Sequence, residues 1–128
     1  MNLLIDTHLL VWAGYKSGKL SKSAKDLMND ADNQLFFSAI SIWEVAIKAA
    51  LGHEDFDVDP AIFRRQLADN GYKEMAFLGS HALMVSSLPP LHRDPFDRAL
   101  IAQARAEGMI LLTADKRVAE YSTGIQLV

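Results

Sequence analysis

Five short apolar runs punctuate the chain: "NLLID", "QLFFSA", "EMAFL", "MILLT" and "IQLV". Each is followed or preceded by stretches with helical spacing, and each is apolar throughout rather than in alternation. A strand that shows water neither face must be covered on both, so the pattern predicts an α/β fold with a mainly parallel sheet. At 128 residues, with half of them apolar, the chain fits one domain, residues 1–128, with a real core. No internal repeat, low-complexity tract or linker interrupts it.

The helical segments carry their own start and stop signals. "HLLVWAG" reads as a turn or two ending at Gly14, and Ser21 or Ser23 caps a helix through Met28. "SIWEVAIKAAL" is a strong helix closed by Gly52, and "PAIFRRQLADN" runs from Pro60 to Gly71. "HEDFDVD" is an acidic loop between them. "GSHALMVSSL" is helical up to the Pro89-Pro90 break, "PFDRALIAQARAEG" is a helix ending at Gly108, and "DKRVAEY" makes a last turn.

The acids at these boundaries separate into caps and candidates for chemistry. In "RDPFD", Asp94 falls at the N-cap with Pro95 at the first helical position, which accounts for it structurally. Asp97 then lies in the first turn, in phase with Leu100, Ile101 and Ala104, so it projects from the face that packs on the sheet. A carboxylate there needs a metal, a cation or hydrogen bonds. Glu44 is phased with Ile40, Ile47 and Leu51 on a nearly all-apolar helix, its one long polar neighbour being Lys48 at i+4. Asp6 ends the first strand and Asp115 follows "ILLTA"; either alone reads as a helix cap. Together they stand at carboxyl ends of strands, where functional groups collect in an open parallel sheet. The helix that starts at Asp97 returns antiparallel to the strand before Asp115, which brings those two acids together.

Charge and composition limit what such a cluster does. Thirteen Lys and Arg against sixteen Asp and Glu give a net charge of −3, which excludes binding a polyanion by bulk charge. There is no Cys, and the four His have no metal-ligand spacing, so disulfide frameworks and thiolate zinc sites are excluded. "MNLLIDTHLLVW" is too short to span a bilayer and lacks a basic leader, which points to no membrane association and to a reducing, cytoplasmic compartment. Carboxylates without His or Cys suit hard, oxygen-preferring cations, Mg²⁺ or Mn²⁺. Phosphodiester hydrolysis uses that arrangement, and the metal lets an acidic protein hold a polyanion.

The ordered segments "LLIDTHLLVW", "SAISIWEVAIKAALG", "LPPLHRDPFDRALIAQA" and "ILLTAD" resemble those of PIN-domain proteins, closely the VapC-type toxins of bacterial toxin–antitoxin pairs. The resemblance runs nearly end to end. It implies a three-layer α/β/α sandwich and a metal-dependent endoribonuclease with Mg²⁺ or Mn²⁺ held by Asp6, Glu44, Asp97 and Asp115. Thr7 and Thr113 match hydroxyl positions flanking such a site, with Ser38 a weaker candidate. Lys48 and Arg98 are the nearest basic residues and candidates for phosphate contact. His92 faces the site or is an idle loop residue. Trp12 and Trp43 read as core or interface rather than as stacking platforms. The resemblance also implies an RNA substrate, an antitoxin whose C-terminal segment covers the acidic cleft with a basic side chain, and a homodimer or hetero-oligomer with the antitoxin. Leu9, Leu10, Val11 and Trp12 supply either dimer surface or core.

Two other classes stand beside this reading. An acidic-pocket phosphatase or phosphoreceiver needs a nucleophilic Asp with a second acid one or two positions away, and "IDTH" offers one acid only. A non-catalytic PIN-like binding module has no reason to keep Asp97 on an apolar face.

Overall fold

The computed structural model describes residues 1–128. Its strands are β1 (Asn2–Ile5), β2 (Gln34–Ser38), β3 (Lys73–Met75), β4 (Ile110–Thr113) and β5 (Ile125–Leu127). All pair parallel, in the order β3-β2-β1-β4-β5. The helices are α1 (Thr7–Tyr15), α2 (Lys22–Asn29), α3 (Ala39–Ala50), α4 (Pro60–Asp69), α5 (Gly79–Val85), α6 (Pro95–Glu107) and α7 (Lys116–Ala119), with 3₁₀ turns at Ser17–Lys19 and Glu54–Phe56.

Side chains alternate across a strand, and here both directions meet a helix layer. Leu3, Ile5 and Leu112 join one core with Leu9, Leu10 and Val11 of α1, Met28 of α2, and Phe63 and Leu67 of α4. Leu4 and Leu111 join a second core with Leu100, Ile101 and Ala104 of α6 and Val118 of α7. Helix α3 leaves the end of β2 between them, giving Ile40 to the second core and Val45 to the first. The result is the three-layer α/β/α sandwich that the resemblance implied. No helix is long and apolar enough to cross a membrane.

Several sequence expectations shift. The strand expected in "EMAFL" is shorter and earlier, Lys73–Met75, and Ala76 spends its carbonyl on the buried Gln103 amide at 3.0 Å. The buried stripe of α3 is Ile40, Ser41, Glu44 and Val45, so the phase through Leu51 is wrong: Leu51 lies past the last turn and is 80% exposed. Leu9, Leu10 and Val11 are core, not dimer surface, because α1 packs flat on the sheet. Trp43 is the reverse, 58% exposed, with its ring edge-on to Phe96 at 5.2 Å. Helix α1 runs one residue past Gly14, and Ser21, not Ser23, caps α2 by accepting Ala24 N–H.

The strand order positions the site. From β1 the chain steps outward to β2 and β3, then crosses back to β4 and β5 on the other side. The connections therefore diverge between β1 and β4, leaving a crevice beyond their carboxyl ends.

Candidate metal centre

An open cavity of about 380 Å³ occupies that crevice, bordered by Asp6, His8, Trp12, Glu44, Lys48, Asp55, Asp94, Asp97, Asp115 and Arg117. Asp6 enters from the end of β1. It caps α1, its Oδ1 accepting His8 N–H at 2.9 Å, while Oδ2 accepts the Thr113 hydroxyl at 2.8 Å. Thr113 Oγ1 in turn accepts Asp115 N–H, so the ends of β1 and β4 are tied through one hydroxyl. Burial pushes the Asp6 carboxyl above its ordinary pKa, against these hydrogen bonds.

Glu44 arrives from α3, which Ser38 caps through Ile40 N–H at 3.0 Å. The Glu44 side chain is 2% exposed. Its Oε2 accepts from Lys48 Nζ one turn on, whereas its Oε1 is buried with no hydrogen-bond partner. An orphaned anionic oxygen in the interior is costly unless something positive meets it.

Asp97 comes from α6. Asp94 caps the helix, its Oδ1 accepting the N–H groups of Phe96 and Asp97. Leu100, Ile101 and Ala104 are all buried, as the helical phase predicts, and Asp97 is the polar head of that stripe. Burial, and then the charges of Asp6, Asp94 and Glu44, raise its pKa to about 7, although a hydrogen bond with His92 at 2.7 Å opposes the shift. The ligating atoms of His92, Asp94 and Asp97 lie within 4.8 Å of one another. Asp94 Oδ1 serves the helix cap, whereas Asp97 is repelled by Asp6, Asp94 and Glu44.

Asp115 caps α7 through Arg117 N–H at 2.8 Å, and the Arg117 guanidinium reaches its Oδ2 at 3.0 Å. Burial raises this carboxyl, yet the Arg117 hydrogen bonds and charge outweigh it and hold the pKa below the usual range.

The structure brings Asp6, Glu44, Asp97, Asp115 and Lys48 to one cavity, with Thr113 buried behind and bonded to Asp6. Thr7 instead bonds Ser41 at 2.8 Å, fastening α1 to α3, and Ser38 is a cap. Arg98 is not at the cavity wall. Its guanidinium donates to the Pro89 carbonyl at 3.0 Å and the Tyr121 hydroxyl at 2.8 Å, which ties the loop before α6 to Tyr121. The same Tyr121 hydroxyl accepts His92 N–H at 3.0 Å, which seats His92 beside Asp97. Sequence reasoning left His92 undecided and missed His8, Asp55 and Arg117. Arg117, two residues past a capping Asp, was the one with a local signal.

These carboxylates converge at the switch of the sheet, Asp6, Glu44 and Asp97 repel one another, and Glu44 Oε1 is left buried and unsatisfied. That donor set fits a hard divalent cation.

Similarity to known proteins bears on the fold and the family. Ribonuclease VapC22 of Mycobacterium tuberculosis (strain ATCC 25618 / H37Rv) is 28% identical over 120 residues, 93% of this chain and 91% of that protein. Among solved structures, VapBC2 from Rickettsia felis, bound to a DNA fragment from its promoter, superposes with a TM-score of 0.70 at 15% identity, covering 100% of this chain and 98% of that one. Mycobacterium tuberculosis VapC20, described as a sarcin–ricin loop cleaving toxin, gives 0.64 at 13% identity over 92% and 93%. At such identities the structural likeness speaks to the fold. Residues 3–123 match the PIN domain family, and this chain belongs to it.

Proposed function

We propose that this chain is a metal-dependent endoribonuclease, the toxin of a type II toxin–antitoxin pair, acting with Mg²⁺ or Mn²⁺. The observation that carries this reading is the Asp6–Glu44–Asp97 group: two buried acids and one half-buried, mutually repelling, and with Glu44 Oε1 unpartnered. A cation relieves that repulsion, and a cation so placed makes an acidic cavity attractive to a phosphodiester.

The residues divide the work. Asp6, Glu44 and Asp97 supply the firm oxygen donors, with Asp115 the fourth and, through Arg117, the least demanding. A bound divalent ion supplies Lewis-acid chemistry, activating water and neutralising charge on the phosphoryl oxygens. Thr113 and His8 N–H fix the Asp6 carboxylate against rotation. His92 holds one Asp97 oxygen. Lys48, 20% exposed at its side chain, presents a positive charge at the wall, suited to a non-bridging phosphate oxygen. Water attacks phosphorus, one P–O ester bond breaks, and the products are a phosphate monoester and a hydroxyl end.

Asp6 as a phosphoryl-accepting nucleophile is disfavoured, because no second acid stands one or two positions from it in the sequence. The antitoxin reading draws on the structural neighbours, which include VapBC2 of Rickettsia felis and a toxin–antitoxin complex from Klebsiella pneumoniae. Six carboxylates face Lys48 and Arg117 in the cavity, a surface complementary to a basic peptide. For a homodimer, exposed Leu78, Leu83 and Leu91 offer the apolar surface that α1 does not.

The test is cleavage of RNA by purified protein. Activity with Mn²⁺ or Mg²⁺, lost in EDTA and in a folded Asp97→Asn variant, is the expected result. Cleavage indifferent to both treatments overturns the assignment.

A further inference from the structure

The acidic segment after α3 does something the charge count did not suggest. Its 3₁₀ turn is pinned by Phe56, which is fully buried, with the His8 ring edge-on at 5.1 Å and Lys48 Nζ 4.8 Å above its centroid. Pinning Phe56 sets the residue before it. Asp55 borders the cavity, together with the Trp12 indole and His8. Lys19 joins the group, 3.9 Å from Asp55 Oδ1 and 5.8 Å from the Trp12 ring centroid.

Asp55 stands apart from the metal-binding acids. It sits in the 3₁₀ turn after α3 and pairs with Lys19, whereas Asp6, Glu44 and Asp97 come from β1, α3 and α6. Its company is an indole, an imidazole and an ammonium group. An ionised carboxylate only accepts hydrogen bonds, so it does not take a phosphate; it takes a group with N–H donors. The Trp12 indole lines the cavity beside it, with the His8 ring tilted against it at 5.8 Å, and aromatic rings bind nucleobases by stacking.

We propose that Trp12, His8 and Asp55 form a nucleobase subsite at the end of the catalytic cavity, selective for guanine next to the scissile phosphate. This rests on the nuclease reading and extends it to base preference. Guanine presents adjacent N1–H and N2–H donors, which match the two oxygens of Asp55 as a fork. Cytosine and adenine offer one exocyclic amine, and uracil offers a single N–H between two carbonyls that a carboxylate repels. Lys19 offsets the Asp55 charge, so the carboxylate reads the base edge without driving off the backbone. The indole supplies base-independent affinity. Trp12 is thus a core residue on one side and a cavity wall on the other, where the sequence suggested core or interface alone.

The experiment uses uridine-tract oligoribonucleotides carrying one guanosine, inosine, adenosine or cytidine. Binding is read by fluorescence anisotropy with Ca²⁺, and cleavage with Mn²⁺, for the wild type, Asp55→Ala and Asp55→Asn. Inosine lacks the 2-amino group and isolates one arm of the fork. Wild-type protein is expected to favour guanosine over inosine and uridine on the order of ten- to a hundredfold. Asp55→Ala is expected to erase that preference while still cutting. An Asp55→Ala variant that weakens every oligonucleotide equally, or a wild type blind to the guanosine–inosine exchange, overturns the subsite and leaves the nuclease reading intact. A wild type that neither binds nor cuts any of them overturns both.

Discussion

At the start of α7, one aspartate performs both local duties. Asp115 caps the helix and pairs with Arg117, and its carboxyl is held below the ordinary pKa. At the start of α6 the duties are split. Asp94 caps, and Asp97, one turn in, is left among Asp6, Asp94 and Glu44 with His92 as its hydrogen-bond partner, its pKa pushed to about 7. Both helices open on one cavity, yet one acid is satisfied by its own neighbourhood and the other is not. An acid that its own fold leaves uncompensated is the better ligand, because a cation relieves it most.

The comparison is broken most directly at Asp97. Asp97→Asn keeps size and hydrogen-bonding capacity and removes the charge. RNA cleavage with Mn²⁺ should fall by at least about 10²–10³-fold, the scale of losing one principal electrostatic contact in an active site. Ion-free stability should move the other way, because the same substitution removes the repulsion. Urea unfolding in EDTA at pH 8 reads this, and an Asn variant that is both inactive and less stable than the parent would mean that Asp97 is structural.

The pH dependence of the ion-free protein carries the same contrast. The folded pKa of Asp97, about 7, lies above that of an unfolded carboxylate, so the folded state retains a proton that the unfolded chain has released. Stability from this group is complete below about pH 4 and is lost as pH rises through 7, at no more than about 1.4 kcal/mol per unit. Asp6, also raised, adds in the same direction. Asp115, lowered, titrates with the opposite sign and at more acid pH, outside this window. Unfolding in EDTA from pH 4.5 to 8, with Asp97→Asn as the subtracted reference, should show a declining difference; a rising one refutes the assignment of the proton.

The two helix starts also show what was legible in the sequence. Apolar runs and caps sufficed for the parallel sheet, and the phase of Leu100, Ile101 and Ala104 sufficed to separate Asp97 from Asp94. The equivalent argument for Glu44 reached a buried acid through a wrong stripe, since Leu51 lies outside the helix that the phase assumed. Arg98 and His92 were opaque because both depend on Tyr121, more than twenty residues away in sequence. Asp55 was opaque for another reason: the acidity of its loop is visible, but that Phe56 is a buried anchor is a tertiary fact.

A smaller effect is expected at Asp115. Its carboxylate is balanced by Arg117 and shares the cap with no other acid, so Asp115→Asn should lower cleavage by about tenfold, within the range seen when groups supporting a metal site are changed. Asparagine is as good a cap, which leaves the helix in place. A loss equal to that of Asp97→Asn would erase the distinction between the two helices.

The smallest effect belongs to Asp94, and it is the sharpest check on the split of duties. Its Oδ1 serves two backbone N–H groups, a role that Ser or Asn fills nearly as well, so either substitution should cost about 0–1 kcal/mol of stability. Cleavage should stay within a few-fold of the parent, because the cap aims Asp97 without sharing its place. Yet Asp94 borders the same cavity, and its ligating oxygen lies near those of His92 and Asp97. Metal titration settles which role dominates: unchanged Mn²⁺ affinity in Asp94→Asn fits a cap, whereas a folded variant as inactive as Asp97→Asn, with weakened Mn²⁺ binding, makes Asp94 a ligand and moves the centre toward His92.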